Sequence, residues 1–137
     1  AAGGAAPDAG PGRLRRRVGA GARFDTGFSV LQLAGNDDLD RLLATIAEAL
    51  SDDGVLLFVE PARLHGSMGR AQRAVAGPVG VTTGWRADRD IPARIRSAAM
   101  TVTDIDRVRV RTVQWWISSL VVGSARRARA AAVPTDV

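Results

Sequence analysis

The sequence contains no cysteine, no lysine and no tyrosine, and only one histidine among its 137 residues. Without cysteine it forms no disulfides and offers no thiolates, which is typical of a reducing compartment, so we expect a cytoplasmic protein. A single histidine among scattered carboxylates has no metal-ligand spacing, and no metal site is predicted. No apolar run approaches the roughly 20 residues that span a bilayer, and no apolar segment follows the N-terminal basic residues. We therefore expect no membrane partner and no signal peptide.

All nineteen basic residues are arginine, and the formal net charge is +5. Most of these arginines are scattered along the chain, and the three phenylalanines are not interleaved with them as in a base-stacking platform. We therefore predict no nucleic-acid partner.

Composition divides the chain into three parts. Residues 1–23 are rich in alanine, glycine and arginine ("AAGGAAPDAGPG", then "RLRRRVGAGAR") and predict a flexible lead-in. Residues 24–127 carry the apolar patterning of one domain. Residues 128–137 predict a flexible tail.

The first half of this domain reads as strand, helix and strand. The segment "FDTGFSVLQL" (24–33) predicts a largely buried strand, and leucines and isoleucine at helical spacing over 39–50 predict an amphipathic helix that Gly54 ends. The run "VLLFVE" (55–60) is continuously apolar up to its last residue, which is typical of a parallel strand covered on both faces. Short links then favour a right-handed crossover between parallel strands.

The second half predicts two helices and two strands. Residues 63–80 indicate a short helix running into a loop, and 86–100 a helix opened by Asp88 or Asp90. Residues 101–112 and 115–127 predict an antiparallel pair of strands, the first with a bulge or an edge position. The predicted order is β-α-β-α-α-β-β, an α/β fold.

The ordered succession "FDTGFSVLQLAGNDDLDRLLATIAEALSDDGVLLFVEP" resembles the second half of class I S-adenosylmethionine-dependent methyltransferases, especially the small-molecule group related to ubiquinone and menaquinone biosynthesis enzymes. Phe24-Asp25 resembles the opening of that family's fourth strand, and Val55–Glu60 its fifth. The closing "VVGSARR" is similar to its antiparallel seventh strand. The resemblance implies a partial doubly wound, Rossmann-like sheet with the last strand antiparallel and the N-terminal strands missing.

The family's glycine-rich cofactor loop has no equivalent in the sequence. Gly19-Ala20-Gly21 is the only candidate, but it lies three residues before Phe24, which leaves no room for the intervening strands, and a lone G-x-G is weak evidence. The resemblance implies methyl transfer from S-adenosylmethionine to a small-molecule acceptor by a truncated or partial enzyme. The alternative is a non-catalytic α/β remnant that acts as an interaction or dimerisation module, a homodimer formed through its exposed sheet edge.

Ligands of open α/β sheets bind beyond the carboxyl ends of the strands. The resemblance implies that Val30, Leu31, Gln32 and Leu33 flank the cofactor S-adenosylmethionine there. Gln32 is the sharpest candidate because a strand-end amide needs a partner. The alternative is that the other three are plain core residues.

Glu60 ends the second strand, where we expect it at the rim of the cleft, binding substrate or orienting a loop; the alternative is a solvated carboxylate.

His65 is a candidate general base toward a substrate hydroxyl, or else a surface histidine, and no other catalytic residue is indicated. Trp85 is a candidate contact for a substrate ring or the sulfonium. Trp115 and Trp116, adjacent on a predicted strand, should face opposite ways.

Overall fold

The computed structural model describes residues 21–83, 86–111 and 114–128, so most of the predicted lead-in and tail lie outside it. The described residues form a four-stranded mixed sheet with helices, as the predicted α/β class requires. The strands are β1 (Phe24–Val30), β2 (Leu50–Pro61), β3 (Met100–Arg109) and β4 (Ser119–Arg127). The helices are α1 (Leu39–Ala49), α2 (Gly66–Thr83) and α3 (Ile91–Ser97), with a 3-10 turn at Trp115–Ile117.

The predicted parallel pair is confirmed. β1 and β2 are adjacent and parallel, with Phe28 opposite Leu57 and Val30 opposite Val59. Helix α1 connects them as the amphipathic pattern predicted. The carboxyl ends of both strands therefore lie at the same edge of the sheet.

The link between α1 and β2 is tighter than predicted. Leu50 is already extended, with ψ 139°, and β2 begins there. Gly54 lies within the strand and does not end the helix, so that prediction was wrong. A Cβ atom at this position would lie 2.9 Å from the Phe24 carbonyl oxygen, so the glycine permits close approach of β1 and β2 where their register shifts.

The C-terminal strands form the predicted antiparallel pair. β4 lies between β2 and β3 and is antiparallel to both, which gives the order β1-β2-β4-β3. The expected irregularity in β3 falls between Val102 and Asp104. Trp115 and Trp116 precede β4 in the 3-10 turn, with ring centroids 6.0 Å apart and planes at 86°. They do not lie on a strand, so the prediction of opposite strand faces was wrong.

Helices α2 and α3 differ in length from the prediction. α2 continues to Thr83 with Pro78 inside it, whereas α3 spans only Ile91–Ser97. Of the two predicted caps for α3, Asp90 is correct, since its Oδ1 accepts a hydrogen bond from the Ala93 amide at 3.1 Å. None of the described helices is long and apolar enough to cross a bilayer.

The core covers one face of the sheet. Buried side chains from α1, α3 and the inner face of the strands form it, including Leu39, Leu43, Leu56, Phe58, Ile91, Ile95, Val121 and Ala125. On the opposite face Phe28 is 75% exposed, Val30 55% and Leu57 39%. The prediction that β1 is largely buried and that β2 is covered on both faces is therefore wrong for the described residues, because these side chains remain exposed on the second face.

Candidate functional site

A loop of six residues, Leu31–Asn36, leaves the carboxyl end of β1 and leads toward α1. The chain turns at Leu31, which has a φ of 55° in the left-handed region that non-glycine residues rarely adopt. The Leu31 amide still donates to the Val59 carbonyl at 2.8 Å, so the turn begins directly at the end of the β1–β2 ladder. Strained backbone of this kind persists only where the surroundings fix it.

The carboxylate of Glu60 holds this loop in place through hydrogen bonds. Its Oε1 accepts hydrogen bonds from the Ser29 hydroxyl at 2.7 Å and from the backbone amides of Gln32 at 3.1 Å and Leu33 at 3.0 Å. Its Oε2 accepts from the Ala34 amide at 3.2 Å. A carboxylate is an acceptor only, and bonds to it are stronger than neutral ones, so one side chain orders a whole turn.

Glu60 lies in the interior, and the expectation of a position at the rim of the cleft is wrong. The residue is 0% exposed. Side chains alternate across a strand, so Glu60 shares the inner face of β2 with Leu56 and Phe58, and the loop closes over it. Of the two roles considered for an acid here, the hydrogen bonds match loop orientation. Contact with a substrate stays an untested prediction.

Residues that precede α3 also donate hydrogen bonds to this loop. The Arg86 amide donates to the Ala34 carbonyl at 3.0 Å, and the Arg89 guanidinium donates to the Asn36 carbonyl. Within the loop, the Asn36 amide donates a hydrogen bond to the Leu33 carbonyl at 3.2 Å. The segment that precedes α3 therefore packs along the loop and limits its movement away from Glu60.

The Leu31 carbonyl lacks the hydrogen bond that the neighbouring strand of a parallel pair normally donates. In a parallel pair, a residue that donates to position 59 accepts from position 61 of the neighbouring strand. Leu31 donates to Val59, but residue 61 is proline and has no N–H to return. Pro61 therefore donates no ladder hydrogen bond to the Leu31 carbonyl.

The four predicted cofactor contacts are contiguous in this region but differ in exposure. Val30 and Gln32 are exposed, Leu31 is half-buried, and Leu33 is buried. Only Leu33 belongs to the core, so the alternative of three plain core residues does not describe this segment. The side chain of Gln32 lies at the surface, and its backbone amide is the atom engaged by Glu60.

The remaining predicted site residues are not brought together with that loop by any described contact. His65 is exposed, and its carbonyl accepts from the Gly69 amide at 3.0 Å in the first turn of α2. Trp85 lies outside the described residues. Substrate binding by His65 and Trp85, and base catalysis by His65, stay predictions.

A second buried polar side chain was not predicted at all. Gln72 of α2 is 1% exposed; its Oε1 accepts from the Leu64 amide at 2.8 Å. Its Nε2 donates to the Ala62 carbonyl at 3.3 Å and to the Trp116 carbonyl at 2.8 Å. Gln72 thus joins α2, the segment after β2 and the 3-10 turn at one end of the sheet.

Sequence reasoning missed Ser29, Ala34 and Gln72 because their partners are backbone groups, or a side chain distant in sequence. Two signals could have indicated part of the network. Glu60 continues the i, i+2 alternation of Leu56 and Phe58, and proline directly after it removes a ladder donor. No local pattern around Gln72 marks it, since glutamine is common on exposed helix faces.

Known structures of similar fold include a "possible histamine N-methyltransferase" from Thermotoga maritima (TM-score 0.55, 16% identity), which covers 77% of this chain and 56% of that one. The N-methyltransferase NodS from Bradyrhizobium japonicum, bound to S-adenosylhomocysteine, gives a TM-score of 0.54 at 14% identity over 77% and 47% of the two chains. The [4+2]-cyclase SpnF gives 0.57 at 16% identity over 77% and 50%. Neither a protein-family model nor a curated protein matches the sequence.

The chain has the fold of class I S-adenosylmethionine-dependent methyltransferases, in partial form. It spans between 27% and 56% of the lengths of eight similar structures. Identities of 20% or less over these eight establish the fold alone, and the [4+2]-cyclase among them shows that the fold serves more than one chemistry.

Proposed function

We propose that the chain supplies one wall of an S-adenosylmethionine site and acts in methyl transfer to a small-molecule acceptor, as part of a larger α/β unit. The observation that carries this proposal is the Leu31–Asn36 loop held by Glu60 at the shared carboxyl ends of two parallel strands. Open α/β sheets bind ligands at such ends. NodS, of similar fold, is bound to S-adenosylhomocysteine.

The polarity of the loop suits a cationic ligand. The amides of Gln32, Leu33 and Ala34 point to Glu60, so they are not available to bind an anion. The carbonyl of Leu31 has no ladder donor at Pro61 and can accept from an ammonium group. S-adenosylmethionine carries an ammonium and a sulfonium, and the buried carboxylate adds a favourable negative potential beneath them.

Catalysis at such a site depends mainly on positioning. The methyl group of a sulfonium is already activated, so in-line placement of donor and acceptor accounts for most of the rate, with modest assistance from a base. The rigid loop provides a fixed wall for the donor. His65, exposed after β2, is the candidate base.

The uncovered face of the sheet supports the proposal that the described residues are part of a larger α/β unit. Parallel strands are normally covered by helices on both faces. Here β1 pairs only with β2 among the described residues, and Phe28, Val30 and Leu57 are exposed on the uncovered face. A further α/β segment that adds a strand parallel to β1 and places a helix on this face would complete the sheet and the second wall of the site.

The test is a titration of S-adenosylhomocysteine into the ¹⁵N-labelled chain, followed by amide chemical shifts. Half a site should bind with a Kd on the order of 1 mM, with the largest shifts at Leu31, Gln32 and Leu33. Glu60→Gln should weaken binding, and Glu48→Gln, an exposed change on α1, should leave it unaltered. Saturable shifts confined to other segments, or none in the millimolar range, would refute the proposal.

A second candidate function follows from the same exposed face. β1 is an edge strand among the described residues, and Phe28 and Val30 are exposed on its uncovered face, so another copy can associate along this edge with the apolar side chains packed between the two copies, as a non-catalytic dimerisation module. Sedimentation velocity measures this directly. If it is correct, the Phe28→Ser/Val30→Ser double variant is monomeric where the wild type is dimeric, and Val81→Ser, which changes an exposed valine on α2, remains dimeric.

A further inference from the structure

The 3-10 turn that precedes β4 lies at the same edge of the sheet as the Glu60-held loop. β4 is antiparallel to β2, so β4 begins where β2 ends: Pro61 is opposite Leu120, and the Ala62 amide donates to the Ser119 carbonyl at 2.8 Å. The 3-10 turn with Trp115 and Trp116 directly precedes this start. Topology therefore places two of the chain's three tryptophans at the ligand-binding edge.

These two indoles have a defined arrangement and are only half-buried. Their rings meet edge to face with centroids 6.0 Å apart, and both retain exposed surface. The backbone beneath them is fixed, because the Trp116 carbonyl accepts from buried Gln72 and the Ser118 amide donates to the Trp115 carbonyl at 3.2 Å. The pair is a preorganised aromatic surface, as small-molecule sites commonly use.

The separation of this surface from the loop suits a small acceptor. β4 is two strand positions from β1, and neighbouring strands lie about 4.8 Å apart, so the start of β4, which the tryptophans precede, lies roughly 10 Å across the sheet from the end of β1. A molecule of one or two rings spans that distance. Exposed His65 follows β2, the strand between them.

We propose that Trp115 and Trp116 form the binding subsite for a planar aromatic acceptor, and that Gln72 is the residue that positions them. This inference rests on the proposed methyl-transfer function for its role, but binding at the subsite requires no cofactor. Aromatic faces select flat π-systems over saturated rings of equal size. The subsite should therefore distinguish an aromatic alcohol from its saturated analogue.

The experiment uses two probes of the same carbon skeleton, 2-naphthol and decahydro-2-naphthol, titrated into the ¹⁵N-labelled chain without cofactor. The three indole N–H signals are assigned with the Trp85→Phe, Trp115→Phe and Trp116→Phe variants. We expect 2-naphthol to shift the Trp115 and Trp116 signals with a Kd on the order of 1 mM, as the size of the probe allows. The saturated alcohol should bind at least fivefold more weakly.

The variants separate a contact role from a structural one. Trp115→Leu should weaken 2-naphthol binding at least fivefold, while Trp115→Phe retains most of it. Gln72→Leu should weaken naphthol binding while leaving the shifts that S-adenosylhomocysteine produces at Gln32 and Leu33. If naphthol shifts neither Trp115 nor Trp116, or if both alcohols bind equally, the aromatic subsite is refuted. Loss of S-adenosylhomocysteine binding alone would refute the cofactor site and leave this subsite standing.

Discussion

The most demanding prediction concerns substitution of Glu60, because this one buried carboxylate accepts four hydrogen bonds. In Glu60→Gln, the amide oxygen can retain the three donors that meet Oε1. The new NH₂ group then replaces Oε2 and faces the Ala34 amide, so two donors oppose each other in the interior. A buried donor without an acceptor costs about 1–3 kcal/mol. The three retained bonds lose their charge assistance, and relief of the buried charge offsets part of that loss.

We therefore expect Glu60→Gln to lower the free energy of unfolding by about 1–3 kcal/mol. Glu60→Ala should cost about 3–5 kcal/mol, since it leaves Ser29 and three amides without their acceptor. That is a large fraction of the roughly 5–15 kcal/mol that stabilises a domain, so the alanine variant is expected to fold poorly. The glutamine variant is the quantitative test.

Urea unfolding and amide hydrogen exchange measure the two consequences separately. The midpoint should fall for Glu60→Gln and remain unchanged for Glu48→Gln, where the carboxylate is exposed. The amides of Gln32, Leu33 and Ala34 should exchange at least tenfold faster in Glu60→Gln, beyond the change seen for β2. A variant with the wild-type midpoint and unchanged exchange at these three amides would show that the carboxylate does not hold the loop.

Three smaller substitutions test the packing around the sheet, each by urea unfolding. A Cβ at Gly123 would lie 2.5 Å from the Asp104 carbonyl oxygen and 2.7 Å from the Phe58 ring, so Gly123→Ala should destabilise by about 1–3 kcal/mol; wild-type stability would contradict that packing. Gly77→Ala, its control in α2, meets no atom of another packed element within 4 Å; the gain in helix propensity and the steric effect of the following Pro78 oppose each other, so the stability should stay within about 0.5 kcal/mol of the wild type. Asp90→Ala removes the acceptor of the Ala93 amide and should cost about 1 kcal/mol; a neutral result would exclude the cap.

The two strand pairings, β1 with β2 and β3 with β4, were predictable from side-chain periodicity and short links, whereas the position of β4 between β2 and β3 was not predicted. The apolar run over 55–60 indicated a parallel strand, and the apolar face of 39–50 indicated the crossover helix. Asp90 followed from the rule for helix caps, and the irregularity in β3 from a slip in alternation. In each case the signal lies within a few neighbouring residues.

The exposed face and the buried acid could not be predicted in the same way. Apolarity shows that Phe28 and Val30 require cover, but it does not show whether the described chain provides it. The position of Glu60 at a strand end suggested solvent, and three of its four donors are backbone amides, which carry no side-chain signature. The 3-10 turn at Trp115–Ile117 was missed because two tryptophans and an isoleucine have high strand propensity, which tertiary context overrides.

The most direct test of the central claim is to detect the hydrogen bonds between the loop and the carboxylate. An NMR experiment that transfers magnetisation through hydrogen bonds should connect the amide nitrogens of Gln32, Leu33 and Ala34 to the side-chain carboxyl carbon of Glu60. We predict such correlations in the wild-type chain and their loss from Ala34 in Glu60→Gln. Resolved loop amides without correlations to Glu60, under conditions where the β1–β2 ladder gives them, would contradict the account.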